Sequence, residues 1–485
     1  MNQLEASGWR GVFTLRRVFV WAFFLSIFCL AVRQCTLVDP DFWWHLKSGE
    51  YITQLKAIPH VDPFSFTKGG SDWIAHEWLS EVIMYAIYRL TGWAGLLILF
   101  GSIITAAFGV CYWRSDDKPF LAAFTTLLAA LASAPLFGMR PQMITLLMVS
   151  VFLAILERYK NSGSQRLLWF LPALTVLWVN LHAGFALAPA LIMLFIVMSV
   201  LDREWNRIKW LVVSLVLCCV VIPLNPNGLR MLSYPFETLS SPSMQALIQE
   251  WFSPDFHKFG FLPLAILLLL TFASMALSPR RPRIGELFGL MVLSLAALRS
   301  GRHIPLFAVF AAPLLARYSA AWFAANNITI LPARHGQTTA IQVILNLALL
   351  LLPSYVAVRK IVDFSRHPEV YESQRVPAAA VQFIKTHRVA GPIFNDYNWG
   401  GYLIWKLYPD YKVFTDGRAD VYGDSFLFDY LNTYRGERGW RDQLNKFGIR
   451  TVLIEPHSSL STLLRDEPGW QVVFEDSQSV VLTKN

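Results

Sequence analysis

The feature that most constrains this chain is a series of apolar runs, each about 20 residues long, the length a helix needs to cross a bilayer. Hydrophobic residues make up 55% of the chain and charged residues only 15%, whereas an ordinary soluble domain carries about 25% charged residues. The pattern predicts a polytopic α-helical membrane protein. It excludes a soluble globular enzyme, a disordered scaffold and a DNA-binding protein.

The apolar runs predict about 11 transmembrane helices. Basic clusters at 158–166, 203–209 and 280–283 fall in the connections on one side, which the positive-inside rule assigns to the cytoplasm. The net charge of +9 is then explained by basic residues in the cytoplasmic connections. An odd number of spans places the N-terminus inside and the C-terminus outside. An additional span at 79–90, which would reverse this parity, is the alternative. The predicted spans are 18–37, 94–113, 119–137, 141–157, 167–182, 184–201, 210–223, 260–277, 284–298, 304–321 and 339–358.

The chain divides into two predicted domains. A transmembrane domain at 1–358 has a long first outside loop at about 38–92, and 359–485 forms a soluble extracytoplasmic α/β domain of ordinary composition. Arg10 precedes the first run, which is long enough to span and lacks a cleavage site, so an uncleaved first helix is expected. The first loop is expected to carry amphipathic helices at 42–55 and 77–90. Strands are predicted at 392–395, 412–415, 451–454, 471–475 and 479–483.

The first outside loop opens with Asp39-Pro-Asp41, directly after the first span. Two carboxylates at a membrane exit are costly to place against apolar surface without a purpose. They could share a divalent cation, one could act as a general base, or they could only cap the following helix. The same loop also carries His45, His76 and Glu77, and this concentration of acidic and imidazole groups favours a functional site.

Further polar residues occur at the outside ends of other predicted helices. Arginine binds phosphate through two parallel hydrogen bonds, so an outward-facing arginine cluster predicts a phosphate or pyrophosphate site. The alternative for each arginine is an ordinary contact with lipid headgroups. No phosphate-cradling loop of an ATPase occurs. The residues concerned are Arg140, His182, Glu250, Arg299, Arg302 and His303.

Two segments of the predicted C-terminal domain follow predicted strands, where α/β folds commonly place ligands. One is Tyr397-Asn-Trp-Gly-Gly-Tyr402 and the other is Thr415-Asp-Gly-Arg418. Paired glycines allow a close backbone approach at the start of a helix. For the second segment, a plain turn is an equally good interpretation.

The arrangement resembles the GT-C superfamily of integral-membrane glycosyltransferases. The resemblance rests on Asp39 and Asp41 opening a large first loop with membrane-parallel helices, followed by about 11 spans and an extracytoplasmic domain. The closest similarity is to bacterial relatives of protein O-mannosyltransferases and aminoarabinose transferases. Trp399 and Tyr402 lie in a segment similar to the acceptor-recognition motif Trp-Trp-Asp-Tyr-Gly of oligosaccharyltransferases, from which Asn398 and Gly401 depart.

The resemblance implies an enzyme in the bacterial inner membrane that moves a sugar from a polyprenyl-phosphate donor to an extracytoplasmic protein, lipid or glycan. Asp41, or else Asp39, would deprotonate the acceptor for an inverting attack. Arg302 with His303, or Arg140, would neutralise the phosphate. Some members of the superfamily use a divalent cation (Mg²⁺ or Mn²⁺), which here would bind at Asp39 and Asp41. A lipid or polysaccharide transporter and a non-catalytic assembly component are the alternatives.

Overall fold

The computed structural model describes residues 15–37, 39–115, 118–328 and 340–485. Arg10 and the predicted cytoplasmic N-terminus around it lie outside the described residues. Within the described part, nine helices are long and apolar enough to cross a membrane. These helices are Val18–Cys35, Trp78–Arg114, Pro119–Leu136, Gln142–Ser162, Ala183–Leu201, Trp205–Leu224, Phe259–Leu277, Gly301–Ala325 and Ile344–Arg366.

Every predicted span overlaps a helix, but two of the eleven are not among these nine helices, so the predicted number of spans is not confirmed. The predicted spans at 167–182 and 284–298 correspond to α-helices of 12 and 16 residues. The α-helices of this part of the chain are α1 (Leu15–Cys35), α2 (Phe42–Leu55), α3 (Trp78–Arg114), α4 (Pro119–Ser133), α5 (Gln142–Ser162), α6 (Phe170–Leu181), α7 (Leu187–Leu201), α8 (Trp205–Val221), α9 (Arg230–Ser240), α10 (Pro242–Leu247), α11 (Leu262–Leu277), α12 (Ile284–Arg299), α13 (Ile304–Ala325) and α14 (Ala340–Arg366).

Helix α13 lies at the centre of the apolar bundle. Phe307, Phe310 and Leu314 on this helix are buried, and its neighbours include α4 and α11. At the C-terminal ends of α5 and α7, Lys160 donates to Asp202 at 2.5 Å. This buried ion pair joins the two helices at the end of the bundle that carries the basic clusters.

The first loop folds as two helices that lie against each other. Helix α2 has the predicted bounds, whereas the helix predicted at 77–90 does not stop there. It continues through a kink at Gly92, whose φ of 61° is readily adopted by glycine, into the predicted span at 94–113. Gly49 lets α2 approach α3 closely, because a Cβ at this position would lie 2.0 Å from the backbone oxygen of Glu81.

The C-terminal region contains a four-stranded sheet in the order β1-β2-β4-β3. Strands β1 and β2 are parallel, and the other two pairs are antiparallel, as expected for a mixed sheet with an antiparallel edge. The prediction of a strand at 412–415 is wrong. Val413 instead pairs with the first loop, accepting from the backbone N–H of Phe66 and donating to Phe64. The strands are β1 (Ile393–Asn395), β2 (Thr451–Ile454), β3 (Trp470–Glu475) and β4 (Val480–Lys484).

Helices cover the sheet and dock it onto the first loop. The remaining helices are α15 (Pro368–Glu372), α16 (Ala378–His387), α17 (Gly400–Leu407), α18 (Ala419–Tyr422), α19 (Asp424–Tyr434), α20 (Arg441–Lys446) and α21 (Ser459–Arg465). Helix α17 packs on α2, where a Cβ on Gly401 would lie 2.7 Å from the Pro40 carbonyl oxygen. Gly401 therefore serves a close contact between the C-terminal region and the start of α2, whereas Gly400 lies against the backbone of Thr415 and Asp416.

Candidate active site

A cavity of about 400 Å³ lies where the first loop meets the N-terminal ends of α5, α7 and α13. Its volume is within the range of small-molecule sites, about 300–1,000 Å³. One part of its wall is apolar and is formed largely by membrane helices and α9–α10, including Leu146, Val149, Leu187, Leu239 and Leu306. The polar part includes Asp41, His45, His76, Glu77, Arg140, His182, Tyr234, Glu250, Arg302, His303, Arg418 and Asp420.

Asp41 precedes α2 and faces the cavity. The indole N–H of Trp44 donates to Asp41 Oδ1 at 3.1 Å, which leaves the other carboxylate oxygen for a ligand. Burial, together with the nearby charge of Asp39, raises the pKa of the Asp41 carboxyl to about 7 against the opposing effects of His45, Trp44 and Arg140. A group with this pKa can accept a proton near neutral pH.

Asp39 does not line the cavity and is held by an arginine. Its Oδ2 lies 3.1 Å from Arg140 Nη1, and its Oδ1 accepts from the backbone N–H of Asp41 at 2.9 Å. Arg140 also forms an ion pair with Glu250, and both carboxylates raise the pKa of Arg140 despite its burial. Both oxygens of Asp39 are therefore engaged, and the guanidinium supplies the positive charge that a cation at Asp39 and Asp41 would otherwise supply.

Arg302 is the cavity arginine with the greater freedom to meet a ligand. Its Nε lies 3.5 Å from Glu250 Oε2, a longer contact than the pair between Glu250 and Arg140, and a third of its side chain is exposed. Its guanidinium carbon lies 4.8 Å from the centre of the Trp251 ring. His303 follows it and also lines the cavity. Arg302 therefore supplies a positive charge that an anion can reach, and His303 lies beside it.

Two glutamates and three histidines form a second polar cluster of the site. Glu77 Oε1 lies 3.1 Å from His76 Nε2 and 3.4 Å from His182 Nε2. His45 Nδ1 lies 3.3 Å from Glu77 Oε2 and 3.2 Å from Glu81 Oε1. Burial opposes the charged form of His76, but the charge of Glu77 and its hydrogen bond raise the pKa of His76 to about 9. The cluster is mostly buried, with Glu81 only 1% exposed.

The C-terminal region supplies one wall of the cavity through residues 417–420. Arg418 is almost fully buried and donates through Nη1 to Asp62 Oδ1 at 2.8 Å and through Nη2 to Asp416 Oδ2 at 2.7 Å. This network ties the C-terminal region to the first loop. It places Gly417 so close to Asp41 that a Cβ on Gly417 would lie 1.8 Å from Asp41 Oδ1.

Comparison with solved structures identifies the architecture, although neither a protein-family model nor a curated protein sequence matches the chain. ArnT from Cupriavidus metallidurans, solved with bound undecaprenyl phosphate, is similar over 98% of both chains, with 15% identity and a TM-score of 0.53. The archaeal oligosaccharyltransferase AglB from Archaeoglobus fulgidus, solved with an inhibitory peptide and a dolichol-phosphate, is similar over 89% of this chain and 69% of its own, with 10% identity and a TM-score of 0.53. The chain has the GT-C fold. The resemblance predicted from the sequence is thereby confirmed at the level of fold.

Within this GT-C fold, most of the predicted site residues meet at one cavity. Asp41, His45, His76, Glu77, Arg140, His182, Glu250, Arg302 and His303 all line it, although they come from seven separate positions along the chain. Their roles in catalysis or binding stay predictions.

Four predicted site residues do not line the cavity of the GT-C fold. Asp39 binds Arg140 instead, and Arg299 is exposed at the end of α12. Trp399 is buried in the C-terminal region, where it forms part of the apolar core. The ring of Tyr402 packs 5.1 Å from Trp43, and its hydroxyl donates to Glu372 at 3.4 Å. The structure thus uses this motif to dock α17 on α2.

Several residues of the site were missed by the sequence analysis. Glu81 lies one helical turn after Glu77, a spacing that puts both carboxylates on one face, so the i, i+4 pattern could have revealed it. Trp251 follows a predicted residue directly. Tyr234 and Asp420 gave no signal, because only the fold brings α9 and α18 to the cavity, where their side chains contact each other at 3.3 Å.

Proposed function

We propose that this protein is a membrane glycosyltransferase that moves a sugar from a polyprenyl-phosphate donor to an acceptor. The observation that carries the proposal is the two-sided cavity, in which Asp41 and the positive charge of Arg302 adjoin an apolar wall built partly from membrane helices. A lipid-linked sugar phosphate matches this cavity part by part: its isoprenoid chain is apolar, its phosphate is an anion and its sugar ring is polar. The GT-C fold supports the proposal.

The donor phosphate binds at Arg302 in this proposal. A guanidinium matches a phosphate through parallel hydrogen bonds, and its fixed charge also stabilises the negative charge that grows on the leaving phosphate. The isoprenoid chain lies along the apolar wall near Leu146, Leu187 and Leu306. The solved relatives are consistent with this donor class, since ArnT was solved with undecaprenyl phosphate and AglB with a dolichol-phosphate.

Asp41 acts as the general base in this proposal. Its free carboxylate oxygen takes the proton from the acceptor nucleophile, which attacks the anomeric carbon from the face opposite the phosphate, so the configuration inverts. The bond to the phosphate oxygen breaks, and the polyprenyl phosphate leaves with the bonding electrons. No general acid is needed, because phosphate is already a good leaving group. A positioned base contributes about 10²–10⁴-fold to such a step.

Asp39, Arg140 and Glu250 position this machinery. The Asp39 carboxylate accepts a hydrogen bond from the backbone N–H of Asp41 and forms an ion pair with Arg140. Arg140 forms a second ion pair with Glu250. The chain of contacts fixes the start of α2 and aims Asp41 at the cavity. A divalent cation at Asp39 and Asp41 would have to displace Arg140, so this pair is not where the geometry favours a metal.

The protein is an integral membrane protein, as its fold and the nine apolar helices in the described part of the chain indicate. We propose the bacterial inner membrane as its location, with the cavity and the C-terminal region on the extracytoplasmic side. The cavity lies at the helix ends remote from Lys160 and Asp202, and the basic clusters occur at the Lys160 end. The positive-inside rule then assigns the Lys160 end to the cytoplasm.

The proposal is tested by donor turnover with purified full-length protein in lipid vesicles. A panel of polyprenyl-phosphate sugars is offered with a mixed set of protein, lipid and glycan acceptors, with and without a chelator, and the release of free polyprenyl phosphate is measured. Release from one donor, with inverted configuration in the product, supports the proposal. Movement of intact donor between leaflets without release would favour a transporter. Binding of the donor with neither release nor movement would favour a non-catalytic component.

A further inference from the structure

We infer that His45, Glu77 and Glu81 form a binding site for one divalent transition-metal ion, with Zn²⁺ as the expected occupant. One nitrogen and two carboxylate groups lie with their ligand atoms within 4.8 Å of one another, and all three side chains are buried. The inference concerns a site separate from the Asp39 and Asp41 pair. Its test does not depend on sugar transfer, because metal content can be measured directly.

The contact geometry matches the ligand shell of a tetrahedral ion. Zinc binds imidazole nitrogen and carboxylate oxygen at about 2.0–2.2 Å, so neighbouring ligand atoms of a tetrahedral site lie about 3.3–3.5 Å apart. His45 Nδ1 lies 3.3 Å from Glu77 Oε2 and 3.2 Å from Glu81 Oε1. These are two edges of such a tetrahedron, and both meet at the imidazole nitrogen.

Hydrogen bonding alone does not satisfy this cluster. His45 Nδ1 can carry one proton, yet it faces two carboxylates, and an N–H serves one acceptor well. Glu77 Oε2 and Glu81 Oε2 are both buried without a hydrogen-bond partner among the described residues. A buried carboxylate oxygen without a partner is costly. A cation bound by Glu77 Oε2, Glu81 Oε1 and His45 Nδ1 would give Glu77 Oε2 the partner that it lacks and would neutralise charge on both glutamates.

The surroundings orient Glu77 as a metal ligand. His182 Nδ1 accepts from the backbone N–H of Gly184 at 2.8 Å, so its proton lies on Nε2, which faces Glu77 Oε1. His76 Nε2 faces the same oxygen at 3.1 Å. Two imidazoles thus hold Oε1 and leave Oε2 toward His45. Metal-binding carboxylates commonly have such hydrogen-bonded support.

The fold explains why these residues meet. Glu77 and Glu81 are four residues apart at the start of α3, which places them on one face of the helix. His45 lies on α2, which reaches α3 closely at Gly49. A metal ion here would join α2 to α3 one turn after Asp41. It would therefore fix the helix that carries the proposed base, and His45 and Glu77 also face the cavity.

The combination of one imidazole nitrogen with two carboxylate groups favours a divalent transition-metal ion. Imidazole favours zinc and its neighbours in the first transition series, whereas Mg²⁺ and Ca²⁺ prefer oxygen ligands alone. Three protein ligands leave a fourth position for water or a substrate group, as in zinc sites that are not purely structural.

The test measures metal binding by full-length protein carrying a tag without histidine. Protein stripped with a chelator is dialysed against Zn²⁺, and bound metal is measured by mass spectrometry. We expect one ion per chain for the wild type and for Glu369→Gln, which alters the exposed His367–Glu369 pair at 3.5 Å and serves as the control. Glu81→Gln should lose the ion. His182→Gln should bind Zn²⁺ about 10–100-fold more weakly, since it removes support rather than a ligand.

A second measurement covers the case in which Glu81→Gln fails to fold. Stripped wild-type protein is titrated with Co²⁺, whose visible absorption reports tetrahedral nitrogen and oxygen ligation, and Zn²⁺ should abolish the signal at one equivalent. Absence of stoichiometric Zn²⁺ uptake by the wild type would overturn the inference. Equal uptake by folded Glu81→Gln would overturn it as well. An octahedral Co²⁺ spectrum would overturn the assignment to these three ligands.

Discussion

Replacing Gly417 with alanine tests whether the C-terminal region positions Asp41. A Cβ on Gly417 would lie 1.8 Å from Asp41 Oδ1, and real Cβ contacts essentially never fall below 3.0 Å. The carboxylate and the loop must therefore separate by at least about 1.2 Å. Trp44 Nε1, which holds Asp41, is only 3.2 Å from the same Cβ position, so the hydrogen bond that fixes the base is also disturbed.

A misplacement of about 1 Å at a reacting group can cost about 100-fold in rate. We therefore expect kcat/KM of Gly417→Ala to fall about 100-fold, equivalent to about 2.7 kcal/mol of lost transition-state stabilisation. The loss should appear mainly in kcat, because the proposed phosphate contact at Arg302 is unchanged. The assay is release of polyprenyl phosphate from the preferred donor at varied donor concentration, with melting temperature measured in parallel.

Gly260→Ala is the matched control, since its Cβ would meet Pro135 Cγ at an ordinary 3.6 Å. It should keep turnover within about two-fold of wild type, a change of less than 0.5 kcal/mol. Folded Gly417→Ala with wild-type turnover would refute the reasoning, because Asp41 could then not be a base held in place by this contact. A loss of turnover in both variants would show a general effect of the substitution.

Three further predictions concern the cavity and its attachment to the C-terminal region. Arg302→Ala should lower kcat/KM in a turnover assay about 10²–10³-fold, because the positive charge that stabilises the leaving phosphate is lost. Arg299→Ala is the control and should have little effect, because Arg299 is exposed and lies outside the cavity. Equal losses in the two variants would contradict this prediction. Arg418→Met should destabilise the docked C-terminal region by about 3–5 kcal/mol, because Asp62 and Asp416 lose their buried partner. Thermal unfolding measures this effect, and a melting curve equal to that of the wild type would contradict the prediction. Burial opposes ionisation of Asp416, but Arg418 holds its pKa below the ordinary value. The stabilisation should therefore be complete above about pH 4 and be lost as pH falls, with Asp416→Asn showing a flatter stability profile in acid.

The sequence predicted the architecture well because its strongest signals are local. Apolar run length predicted the positions of the apolar helices but not their number, since nine of the described helices are long enough to span against the eleven predicted; β1, β2 and the β3–β4 hairpin were also predicted. The strand predicted at 412–415 shows the limit. Its residues have strand-like composition, but Val413 pairs with the first loop, a tertiary contact that local pattern does not encode.

The sequence predicts which residues form the candidate site more readily than it predicts how they are arranged. Asp41 and Arg302 are unusual enough at helix ends to be noticed singly. The pairing of Asp39 with Arg140 depends on how two distant segments pack, and so does the approach of Gly417 to Asp41. The family resemblance put Asp41 before Asp39 as the candidate base, and the structure adds that Asp41 faces the cavity whereas Asp39 binds Arg140.

The most direct test of the proposed mechanism compares Asp41→Asn with Asp72→Asn in the donor-release assay. Asp72 belongs to the same loop, but 78% of its side chain is exposed, so its substitution controls for loss of a carboxylate in that loop. We predict that Asp41→Asn loses about 10²–10⁴-fold of the turnover while remaining folded, and that Asp72→Asn retains it. Wild-type turnover by folded Asp41→Asn would contradict the assignment of the base.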